Sequence, residues 1–175
     1  NLQVGSYDSP YFGKISAKTF MELSPGLYVQ PNSNAEYVRT EMSIGYTEIT
    51  GPEPINYLEE GIEIYQLAEP IDSTVAYTRV DELALGTKIA DWDFFPLVDD
   101  TLTYDSIYLI PVNDLVGMDL FTKLKEDPSI FENQVNFNAY FNGIGIISKP
   151  NALHIFDLER PSLRLNIIYN EFNSD

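Results

Sequence analysis

Residues 38–46 read VRTEMSIGY, with Val38, Thr40, Met42, Ile44 and Tyr46 alternating with Arg39, Glu41 and Ser43. Successive side chains of a strand leave on opposite faces, so one side of this run meets a core and the other meets water. Such half-buried alternation belongs to antiparallel sheets. A second run, ISAKTFMEL at 15–23, sets Ile15, Ala17, Thr19, Met21 and Leu23 against Ser16, Lys18 and Glu22, with Phe20 out of step. IEIYQLA, DSIYLIPV, GIGIIS, ALHIFDL and LRLNIIYN add further strands, several apolar on both faces. The turn-forming stretches SPG, PNSN, TGPEP and ERPS separate them.

One segment keeps another period. In NDLVGMDLFTKLKEDP, Leu115, Met118, Phe121 and Leu124 recur every three positions. Asn113 or Asp114 can cap the start, Lys123 and Lys125 suit the last turn, and Pro128 ends the run. This predicts one α-helix of about three turns near 114–126. A shorter helical or irregular piece is expected to follow through ENQVNFNAYF. No internal repeat, low-complexity tract or long linker divides the chain. The expected architecture is therefore a single all-β domain over residues 1–175. It is an antiparallel β-sandwich of jelly-roll type with one inserted helix.

Composition agrees with a packed domain. The chain has 175 residues, 44% of them apolar and 13% aromatic, too many for an acidic disordered tail. Acids outnumber bases 27 to 10, a formal charge of -17, which argues against nucleic acid and against anionic lipid as direct partners. Cysteine is absent, so disulfides and thiol catalysis are not available. The sequence shows no signal peptide, membrane span or lipid-attachment cysteine, and its abrupt start at Asn1 is expected of a processed or trimmed protein.

The opening segment, QVGSYDSPYFGKISAKTF, concentrates glycine and aromatics. Gly5 and Gly13 permit tight backbone geometry and Pro10 fixes a bend. Tyr7, Tyr11 and Phe12 are expected to fold over one end of the sandwich as an aromatic plug, with a ligand platform as the alternative.

GSYDSPYFGKISAKTFMEL resembles the start of an uncharacterised family of Bacteroidota lipoproteins, a domain of unknown function. IEIYQLAEPIDSTVAYT, FNAYFNGIGI and LRLNIIYN are similar to later family elements in matching order, so the resemblance covers most of the chain. Asn142 stands where the family often has Lys, and this chain is shorter than typical members. The resemblance implies an exported protein at the outer membrane or cell surface, tethered through an N-terminal lipidated cysteine absent from this chain. It implies no catalytic residues.

Chemistry-bearing constellations are sparse. His154 is the only histidine, and with no Gly-x-Ser-x-Gly elbow it reads as a structural or surface residue. A zinc site built on several His or Cys ligands is excluded by count. The chain has no phosphate-binding glycine loop, and GIGI reads as a strand. Glu59 and Glu60 read as flanking a turn. Between Asp81 and Asp119 nine acids face one base, Lys88. Within DWDFFPLVDD, Asp91, Asp93, Asp99 and Asp100 are candidate Ca²⁺ ligands, although their spacing does not match the Asp-x-Asp-x-Asp-Gly loop. Trp92 with Phe94 and Phe95 offers a stacking surface for a sugar, with Asp91 and Asp93 accepting hydroxyl hydrogen bonds, or Trp92 is instead an inter-sheet core residue. No other cofactor is expected.

The expected function is a non-enzymatic cell-envelope module binding glycan or another envelope protein. The alternatives are an assembly subunit of an outer-membrane complex working through unpaired strand edges, and a carbohydrate-active enzyme using two carboxylates.

Overall fold

A computed structural model of the chain describes residues 2–26, 29–52, 60–72, 74–78, 82–93 and 107–172. The strands are β1 (Leu2–Ser9), β2 (Gly13–Ala17), β3 (Thr19–Met21), β4 (Glu36–Ile44), β5 (Tyr46–Thr50) and β6 (Gly61–Leu67). After these come β7 (Leu85–Asp93), β8 (Tyr108–Pro111), β9 (Ile144–Ser148), β10 (Ile155–Leu158) and β11 (Arg164–Asn170). Two helices, α1 (Asp114–Glu126) and α2 (Gln134–Tyr140), lie between β8 and β9. The fold is thus the expected all-β antiparallel sandwich with an inserted helix. Its described strands are shared among three sheets, ordered β2-β1-β10-β5, β11-β4-β8 and β3-β9-β6-β7.

Both alternating runs cross between sheets, which their local pattern does not show. The run through VRTEMSIGY leaves β4 in one sheet, passes Gly45 and enters β5 in another. Gly45 allows this corner because a Cβ there would lie 2.9 Å from the Ser162 hydroxyl and 3.2 Å from a Glu159 carboxylate oxygen. Its N–H donates to Ser162 Oγ at 2.6 Å, and its carbonyl accepts from the Glu159 N–H at 2.8 Å. The run through ISAKTFMEL breaks at Lys18 in the same way, which places Phe20 on β3 of a different sheet from Ile15 and Ala17.

Met42 and Ile44 are buried on β4 as expected, but Val38 is exposed. The pairing with β11 shifts here: Ile168 opposes Arg39 while Tyr169 opposes Tyr37, so Val38 is the extra residue of a bulge. A bulge reverses the alternation beyond it, so Tyr37 rather than Val38 shares a face with Thr40.

The helix lies where expected, capped by Asn113, whose side chain accepts the Leu115 N–H at 2.9 Å. Its buried stripe is Gly117, Leu120, Phe121 and Leu124, while Leu115 is 79% exposed and Met118 also faces solvent. A three-residue spacing drifts round a helix of 3.6 residues per turn, so Leu115 and Leu124 end roughly half a turn apart. Spacings of three and four together keep one face. Gly117 sits against β4, where a Cβ would lie 2.2 Å from the Tyr37 hydroxyl and 2.6 Å from Thr40 Oγ1.

One apolar cluster joins all three sheets and the helices, running from Val4 through Met42, Ile62, Ile64, Ile110 and Ile146 to Phe137 and Phe156. The opening aromatics do not close it. β1 and β2 form a hairpin in which Ser9 opposes Gly13, so Pro10, Tyr11 and Phe12 make its tip. Ser9 Oγ accepts the N–H groups of Tyr11 and Phe12, each at 3.3 Å, and Gly13 adopts φ 73° to turn the chain. That geometry carries Tyr11 to 88% and Phe12 to 82% exposure, while Tyr7 is half-buried. The expected plug is a projecting tip.

Candidate functional site

Trp92 lies on β7 directly opposite Ile62, a fully buried residue of β6, so the indole points toward the core. It is half-buried and packs on Tyr108 with ring centroids 4.5 Å apart. Tyr108 stacks on Tyr46 at 6.0 Å, and Tyr46 meets Phe156 edge-on at 5.4 Å. These four rings come from β7, β8, β5 and β10, so the row bridges all three sheets.

Asp91 and Asp93 flank Trp92 in sequence and therefore leave the opposite face of β7. The structure does not gather the indole and the two carboxylates into one surface. On the outer face, Lys88 Nζ lies 2.9 Å from Asp91 and 3.3 Å from Glu63, and Asp93 pairs with Lys149. The hydrogen bond from Lys88 holds the Asp91 carboxyl below the usual carboxylate range, and in turn Asp91 and then Glu63 raise the Lys88 ammonium. Each candidate calcium ligand of β7 thus already faces an ammonium. Phe94, Phe95, Asp99 and Asp100 lie outside the described residues, and among the described residues no group of three or more acids or histidines is arranged to hold a metal.

A different pair of residues forms the buried polar centre. His154 is 2% exposed and Glu60 1%. His154 Nδ1 lies 2.8 Å from Glu60 Oε1, and Nε2 lies 2.7 Å from the Pro52 carbonyl oxygen. A carbonyl only accepts, so Nε2 carries a proton and donates it there. The nitrogen that a general base would turn toward a hydroxyl is thereby engaged by backbone. Glu60 Oε1 also accepts the Leu153 N–H at 2.9 Å, while Oε2 is buried without a hydrogen bond. Glu60 immediately precedes β6 and anchors its start to the segment before β10. The signal for this was faint: the only histidine, between apolar neighbours, asks for a buried partner, but nothing local says which of many acids supplies it.

The segment that this pair anchors walls a surface depression of about 380 Å³, lined by Ser6, Tyr7, Asp8 and Lys14 of the hairpin and by residues 150–153. Ser6 Oγ donates to the Ala152 carbonyl at 3.0 Å, and the Ser6 N–H donates to the His154 carbonyl at 3.1 Å. Gly5 permits the approach: at φ 137° it sits where a Cβ would fall 2.0 Å from the His154 carbonyl oxygen. The Lys149–Ala152 turn is closed by its own backbone bond at 3.1 Å with Pro150 inside it. The hairpin thus presents two surfaces close together, a polar depression along its side and a bare aromatic tip.

No family model, no curated protein and no solved structure matches the chain.

Proposed function

We propose that this chain is a non-enzymatic binding module of the cell envelope that engages another envelope protein through the tip of the β1–β2 hairpin. The observation that carries this reading is the exposure of Tyr11 and Phe12, at 88% and 82%, on a tip set by Ser9 and Gly13. Aromatic residues bury roughly 150–250 Å² each and dominate protein interfaces, so two of them projecting together suit insertion into a partner's pocket. The formal charge of -17 keeps such a surface soluble and favours a partner with a cationic rim. The resemblance to lipoproteins supports an exported protein held at the outer membrane by a lipid anchor.

Among the ligand classes open to it, a glycan is less well supported, because Trp92 faces inward and its flanking acids face the other way. The assembly-subunit reading rests on β2 and β5, which end their sheet as edge strands among the described residues.

Site-specific photo-crosslinking from position 11 in intact envelopes tests the proposal. A discrete protein adduct that disappears when Phe12→Ser is added is the expected result. Absence of any adduct, or an adduct indifferent to Phe12→Ser, would overturn it. Concentration-dependent oligomers of the isolated chain in light scattering would favour the assembly reading instead.

A further inference from the structure

Asp8 and Lys14 are directly opposite each other on β1 and β2, so they share one face of the hairpin with Cβ atoms about 5 Å apart. Opposite charges directly across two strands attract, and elsewhere on this chain ammonium and carboxylate do close, Lys18 on Glu82 at 2.5 Å and Lys88 on Asp91 at 2.9 Å. Asp8 and Lys14 make no ion pair among the described residues, and both line the depression. Its 380 Å³ falls within the size of small-molecule sites, roughly 300–1,000 Å³.

The opposing wall is tied down by hydrogen bonds. Ala152 is held by Ser6 Oγ, the Leu153 N–H by buried Glu60, and Glu60 by His154. A wall fixed before binding lowers the ordering cost of capturing a small ligand. It also gives the buried Glu60–His154 pair a purpose, since that pair sets the position of Leu153. The Leu153 side chain stays partly exposed beside Pro150, an apolar strip next to the two charges.

The charges select the ligand class. A simple anion that meets Lys14 also meets Asp8 and a chain of net charge -17, and a simple cation meets Lys14. A molecule carrying both charges satisfies both groups at once through charge-assisted hydrogen bonds. We infer that the depression binds a free α-amino acid, its ammonium on Asp8, its carboxylate on Lys14 and its side chain against Pro150 and Leu153. This site stands independently of the aromatic tip.

Titration by calorimetry and by amide NMR shifts, using L-alanine as probe, tests the inference. Saturable binding is expected, with shifts at residues 6–8, 14 and 150–153. N-acetylalanine lacks the ammonium and alaninamide the carboxylate, and each should bind about tenfold more weakly. Asp8→Asn and Lys14→Gln should each weaken L-alanine by about tenfold while leaving the circular dichroism unchanged. The double swap Asp8→Lys with Lys14→Asp should recover binding, because the ligand can reverse. No binding of L-alanine at about 10 mM, blocked forms that bind as well, or binding of N-acetylglucosamine in its place would each overturn the inference. The Tyr11→Ser, Phe12→Ser double variant should bind L-alanine normally, so failure of the docking reading and failure of this one are separable.

Discussion

The hairpin tip and the aromatic row are built from the same kinds of side chain and have opposite fates. Tyr11 and Phe12 stand in solvent, while Trp92, Tyr108, Tyr46 and Phe156 stack from sheet to sheet across the core. Ring size does not separate them. The tip lies beyond the last paired residues of the β1–β2 hairpin, and none of the described residues forms a layer beneath it. Phe156 and Trp92 occupy inward positions on paired strands, Trp92 opposite Ile62 and Phe156 between Val4 and Ile49. An aromatic residue is buried when a second layer meets its face of the sheet, and that condition is set by pairing.

Substitutions can break this contrast. The largest effect is expected from Phe156→Ala, which empties the inner end of the row and should cost about 3–5 kcal/mol in urea unfolding. His154→Ala supplies a polar benchmark in the same range, about 3–5 kcal/mol, because it leaves Glu60 buried without its partner. Trp92→Ala should cost roughly half as much as Phe156→Ala, since the indole is only half-buried. Phe12→Ala should change stability by less than about 0.5 kcal/mol, and a larger loss would mean that the tip packs on the body after all.

The smallest effect sharpens the difference between the two faces of β7. The Asp91 carboxyl is held below its usual range, chiefly by the Lys88 hydrogen bond. Its contribution to stability is therefore present above the ordinary carboxylate value and lost as the pH falls through the lowered one. The small stability gap between the native chain and Asp91→Asn should be full at neutral pH and close in acid, whereas the Trp92→Ala deficit should not follow that titration. Urea midpoints between neutral pH and about pH 3 would separate the two.

Much of the fold was legible locally. Alternation identified the strands, and the Asn113 cap with Pro128 bounded the helix closely. The buried face of the helix was not legible, because a spacing of three is not a stripe, and Gly117, a buried contact, has no apolar side chain to announce it. Val38 was misplaced because a bulge becomes visible only when the partner strand is known. The site was less legible than the fold. Trp92, Asp91 and Asp93 are adjacent in the chain but divided by the pleat. Glu60 and His154 are in contact but separated by 94 positions.

The amino-acid order alone determined the antiparallel β character, the inserted helix and the acidic surface, because these follow from backbone preference, side-chain period and charge count within a few residues. Which sheet received each half of an alternating run, which aromatic rings met a second layer, and which acid reached the lone histidine were decided only by the assembled chain. Those outcomes depend on contacts between distant segments, where closing the core and satisfying buried polar groups outweigh anything encoded by nearest neighbours.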